Sequence, residues 1–162
     1  MTLIDVLKLF VGLEMWAPAR SVGLFSIQIG NRSSGINDLG KYAIHTQCSF
    51  RFCHNSDLVS GRTDFYYPKS DSENSDFNWK SPNTTLFDEK VDSLFASIGN
   101  SVISGFRVGL AGYFRIVCGN GLVFEVFPND SEGSEDWRII EFGVSHIVCC
   151  ANSISISEDI YD

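Results

Sequence analysis

A histidine, a glutamine and an arginine occur at His45, Gln47 and Arg51, inside the apolar-polar run Tyr42–Phe52. Side chains alternate between the two faces of a strand. These three odd-numbered residues therefore share one face, and Tyr42, Ile44, Thr46, Cys48, Phe50 and Phe52 share the other. An imidazole, a carboxamide and a guanidinium side by side suit the binding of a carboxylate or a phosphate. Arg20 and Arg62 are candidates to join them. The structural alternative pairs Arg51 and Arg62 with Asp57 or Asp64, which would order a loop, and leaves His45 as a hydrogen-bonded structural histidine.

Other chemistry-bearing residues do not assemble into a motif. His54 and His146 are isolated from His45 and from each other, and no catalytic residue, metal site or cofactor is assigned. Cys48-x4-Cys53 with His54 lacks the second pair that zinc spacing requires. Neighbours Cys149 and Cys150 point to opposite faces of a strand, so the five cysteines read as mostly buried free thiols. Gly119-Asn120-Gly121 joins two strands and opens no helix, which makes it a hairpin turn and not a phosphate loop.

Charge is more informative. The net charge is −8, and residues 128–162 hold a single basic residue, Arg138, against eight acids. That stretch repels a phosphate backbone, so a nucleic-acid partner is not expected. It would instead steer a basic protein. Asp130, Glu132, Glu135 and Asp136, with Trp137 at their edge, form a candidate partner-binding patch. The alternative places Trp137 in the core and makes Arg138 a screen for the acids.

Several elements must position these groups. Leu3, Val6, Leu7, Phe10 and Val11 recur at helical spacing between a Thr2 cap and Gly12. Leu24–Gly30 alternates as a strand, Gly12–Arg20 reads as an irregular connection, and Arg62–Tyr67 reads as a strand ended by Pro68. The spacing of Phe87, Val91, Leu94, Phe95 and Ile98 predicts a packed helix over 86–98, capped by Thr84 or Thr85. Five short β-rich runs between Val102 and Cys150 predict a meander of consecutive antiparallel strands. Parity makes Gly119–Gly121 a three-residue turn with Gly121 left-handed, placing Phe114 opposite Val126 and Arg115 opposite Glu125. No apolar run approaches the ~20 residues of a membrane span. The first residues carry Asp5 and Lys8 within their apolar stretch and do not read as a signal peptide, so a cytoplasmic location is expected.

The runs L-x-x-F-V-G-L-x-M-W-A-P-A-R (7–20), G-K-Y-A-I-H-T-Q-C-S-F-R (40–51), L-F-D-E-K-V (86–91), G-L-V-F-E-V-F-P-N-D-S (121–131) and E-D-W-R-I-I (135–140) with H-I-V (146–148) span most of the chain. Together they resemble a family of small bacterial cytosolic proteins of the immunity-protein kind, encoded beside secreted toxins. That family more often has Trp before the motif arginine, where Phe50 stands here. The resemblance implies a non-catalytic protein that binds and neutralises a cognate toxin domain, a basic nuclease being one candidate. The alternative is a small-molecule-binding protein or small enzyme using His45, Gln47 and Arg51. The expected fold is one α+β domain over residues 1–162, mainly antiparallel sheet with a C-terminal meander. One helix packs on it at 86–98 and a short one lies at the N-terminus, with 153–162 a short last strand or a loose acidic tail.

Overall fold

A computed structural model describes residues 2–31, 39–71, 76–151 and 153–158. Both expected helices form, and both begin with the same device. In α1 (Leu3–Phe10) the Thr2 hydroxyl accepts from the Asp5 N–H while the Thr2 N–H donates to the Asp5 carboxylate. In α2 (Leu86–Ser97) Thr85 and Asp88 repeat this reciprocal capping box. The buried stripes are Leu3, Val6, Leu7 and Phe10 in α1, and Phe87, Val91 and Leu94 in α2, as the spacing predicts, except that Val11 is the exposed C-cap of α1. Phe95 and Ile98 pack part-buried against the core.

The strands are β1 (Glu14–Ser21), β2 (Leu24–Ile29), β3 (Tyr42–Thr46), β4 (Ser49–His54), β5 (Asp57–Gly61), β6 (Ser101–Val108), β7 (Phe114–Cys118), β8 (Leu122–Phe127), β9 (Glu135–Glu141), β10 (Ser145–Cys150) and β11 (Ser153–Glu158). They form one eleven-stranded sheet in the order β11-β10-β9-β3-β2-β1-β6-β7-β8-β4-β5. Mainly antiparallel sheet with two helices is thus the architecture. The expected meander is broken, however. β6-β7-β8 and β9-β10 run consecutively, but β8 pairs with β4 while β9 pairs with β3.

The cause is a corner that two chain segments turn together. The backbone N–H groups of Gln47 and Cys48 both donate to the Asp136 carbonyl, at 2.8 and 3.1 Å. The Thr46 hydroxyl donates to the same oxygen at 3.3 Å. Tyr42–Phe52 is therefore two strands with a bend between them, not one. Alternation survives the bend: Tyr42, Ile44, Thr46, Cys48, Phe50 and Phe52 are all buried. The sheet curls until β2 and β4, distant in the order, face each other, with Phe25 stacked on Phe50 at 4.6 Å. Phe52 stacks on Phe124 at 4.9 Å and Phe65 meets Phe87 at 4.7 Å, so the interior is built largely from phenylalanine. Burial of each such ring is worth roughly 1.5–3 kcal/mol. Isoleucines line the other half in one cross-strand row, Ile27–Ile44–Ile139–Ile147, which Ile156 continues at the exposed sheet edge. α1 lies on that inner side, with Phe10 against Tyr42 at 5.1 Å.

The Gly119–Gly121 turn has the expected register: Phe114 faces Val126, Arg115 faces Glu125, and Gly121 has φ +87. Other expectations change. Glu14–Ser21 is a bulged strand, its register shifting between Trp16 and Ala19. Arg62–Tyr66 is a 3-10 turn, not a strand. Ser153–Glu158 is a sheet-edge strand and not a loose tail, while residues 159–162 lie outside the described ones.

Candidate functional site

The bend at Gln47–Cys48 separates the residues that the alternation groups together. His45, Gln47 and Arg51 do share the outer side of the sheet, but His45 belongs to the β3-β9-β10 half and Arg51 to the β4-β8-β7 half. They do not converge on one ligand. His45 faces Arg138 across the β3-β9 pair. Arg138 Nε donates to Glu135 Oε1 at 2.7 Å, a second bond joins the same two groups, and Arg138 Nη1 donates to His146 Nδ1 at 3.4 Å. Burial, then the Arg138 charge, hold His45 below the ordinary histidine range, so it is neutral at pH 7.

Arg51 anchors a different group. Across β4-β8-β7-β6 the outer face reads Arg51, Glu125, Arg115, Arg107, each directly opposite the next. Arg51 Nε donates to Glu125 Oε2 at 2.7 Å and the Tyr113 hydroxyl donates to Glu125 Oε1 at 2.9 Å. Burial alone would raise the Glu125 carboxyl. The bonds from Arg51 and Tyr113, with the Arg51 and Arg115 charges, bring it below the usual glutamate range. Neither Asp57 nor Asp64 pairs with Arg51; Asp64 instead pairs with Lys90 at 3.4 Å. The Arg51 guanidinium sits 5.2 Å from the Phe127 ring, and Phe127 lies 5.3 Å from Tyr113. Arg115 Nε is buried and has no hydrogen-bond partner among the described residues.

Nothing in the sequence pattern singles out Arg107 or Tyr113. Arg107 meets Arg115 because the β6-β7 register shifts between Ile103 and Gly105, an irregularity that strand parity does not announce.

Arg20 and Arg62 are occupied elsewhere and do not join Arg51. Arg20, 1% exposed at its side chain, donates to both Asp88 carboxylate oxygens and to the carbonyls of Val22, Trp79 and Ser81. Arg62 donates to the Gly23 carbonyl at 2.7 Å. The two guanidiniums flank the Phe65 ring at 5.4 and 5.6 Å. This buried knot ties the β1-β2 hairpin to the segment before α2.

The acidic patch is smaller than the charge count suggests. Trp137 is fully buried, its Nε1 donating to the Gly112 carbonyl at 2.9 Å, so it cannot anchor a partner at the loop edge. Asp136 is also buried, its Oδ1 accepting from the Asn129 and Asp130 N–H groups. Glu135 is engaged by Arg138. Glu132 is exposed and Asp130 half-buried.

Thiol chemistry is suppressed at the buried cysteines. Burial pushes Cys48 up to about 11, and Cys118 and Cys149 up to about 12, so all three stay protonated at neutral pH. Among the described residues no group of three or more His, Cys, Asp or Glu is placed to hold a metal ion. None of their helices is long and apolar enough to cross a membrane. Compared with known protein families, with curated proteins and with solved structures, the chain matches none.

Proposed function

We propose that this chain is a protein-binding module that neutralises a bacterial toxin domain by covering it, in the manner of an immunity protein. The observation that carries this reading is the outer face of β4-β8-β7-β6, which no helix among the described residues covers. Both helices bury their apolar stripes toward the inside, so neither covers the Arg51–Arg107 row. That face combines arginine, tyrosine and phenylalanine, the residue types that dominate binding energy at protein interfaces. Asp130 and Glu132 lie in the loop that continues from Phe127, and Asn129 of that loop donates to the Ser49 hydroxyl on β4 at 3.3 Å. A charged rim thus adjoins the aromatic end of the face. The motif resemblance points the same way.

Co-expression with the toxin domain encoded beside it tests the reading. Cells should survive the toxin only when this chain is present, and the two proteins should co-elute. Death of the cells at equal expression, with no co-elution, would reject it.

A further inference from the structure

We propose that the outer face of β4-β8-β7-β6 receives a carboxylate-bearing segment of the partner protein, with Arg107 and Arg115 as its anchors. The inference rests on the reading of the chain as a protein-binding module and specifies the partner's chemistry. The row holds three guanidiniums and one carboxylate. Both oxygens of Glu125 are already taken, by Arg51 and by Tyr113. Among the described residues no hydrogen bond or ion pair reaches the side chain of Arg107 or Arg115.

Like charges directly opposite on a sheet destabilise it. In a chain with 20 acids and 12 basic side chains, nothing in the composition forces two arginines face to face. The one carboxylate in their row, Glu125, already takes its hydrogen bonds from Arg51 and Tyr113. A carboxylate bridging the two guanidiniums would turn this repulsion into two charge-assisted contacts. The surroundings favour a protein segment over a polyanion. Val117 and Val123 flank the arginines on one side and Tyr113 on the other, offering apolar contact. Glu125 within the row and Asp130 and Glu132 beside it repel a nucleic-acid backbone, with one charge every ~1.7 Å. A single carboxylate fits between them. The contact surface of the toxin is therefore acidic at this point, opposite to what a net charge of −8 suggests.

The test is an NMR titration of the full chain, reading the arginine Nε–H signals as a tetraglutamate peptide is added at low salt. The Arg107 and Arg115 signals should move and saturate. An R107Q/R115Q variant should bind about tenfold or more weakly with a melting temperature no lower than that of the parent chain, and R107K/R115K should restore part of the binding. R107Q alone serves if the double variant fails to fold. Absence of movement at Arg107 and Arg115 would overturn the proposal. So would tighter binding of oligothymidylate through the same signals, or a response to inorganic phosphate without one to the peptide. Because the probe is not the toxin, failure here leaves the protection assay standing, and failure there leaves the acid-binding face standing.

Discussion

Two arginine clusters in this molecule use the same chemistry to opposite ends. Around Arg20, donors and acceptors balance: the guanidinium reaches one carboxylate and three backbone carbonyls and is shut away from water. Around Glu125, donors outnumber acceptors among the described residues, with Arg107 exposed and Arg115 half-buried. The first arrangement is complete and therefore structural. The second is incomplete among the described residues, which makes it a candidate for a partner. Residue type does not separate the two; the count of partners does.

The largest effect that sharpens this contrast is expected at Arg20. Arg20→Ala leaves Asp88, 12% exposed at its side chain, without its cation and releases three carbonyls. A loss of about 3–5 kcal/mol is expected in chemical denaturation, the range for breaking a buried pair. A loss under 1 kcal/mol would show the knot to be dispensable. Glu125→Gln should cost less, about 1–2 kcal/mol, because Arg51 is 47% exposed at its side chain and water screens the pair.

Acid should loosen both clusters. Burial alone would raise the Asp88 carboxyl, but hydrogen bonds from Arg20 and Thr85 hold it below the ordinary range, as Arg51 and Tyr113 hold Glu125. For a depressed carboxyl the unfolded chain binds more protons, so stability rises with pH. It is fully present above the unfolded values of about 4–4.5 and is lost as pH falls through the folded ones. Denaturation midpoints measured from neutral pH downward should show this fall, with a shallower slope in Arg20→Ala. An equal slope would remove Asp88 from the account. Arg107→Gln should have the smallest effect and the opposite sign. Removing one of two facing cations should raise stability by a few tenths of a kcal/mol at low salt, read as a small upward shift in melting temperature that added salt erases.

Much of the local structure was legible in advance. Apolar spacing and the Thr caps place both helices, and strand parity fixes the Phe114–Val126 register, because these depend on neighbours within a few residues. The bend at Gln47–Cys48 was not legible. Its donors meet an Asp136 carbonyl far along the chain, and the alternation from Tyr42 to Phe52 runs through it undisturbed. That is why His45 and Arg51 look like one site in the sequence and occupy two halves of the sheet. The acidic loop misleads for a related reason. Asp136 and Trp137 sit in a polar stretch, yet they are held inside by Asn129 and Gly112. Arg115 opposite Glu125 was readable, but the neighbouring Arg107 depends on a register shift set by the sheet.

The Asp136 carbonyl that receives Thr46, Gln47 and Cys48 also bears on how the polypeptide is made. Thr46 and Asp136 stand 90 positions apart. Closing so long a segment is slow compared with forming a helix or a hairpin. During synthesis Phe25, Phe50, Phe65 and Phe87 have one another as partners early, but the corner between β3 and β4 stays unlocked until residue 136 has left the ribosome and that one oxygen arrives.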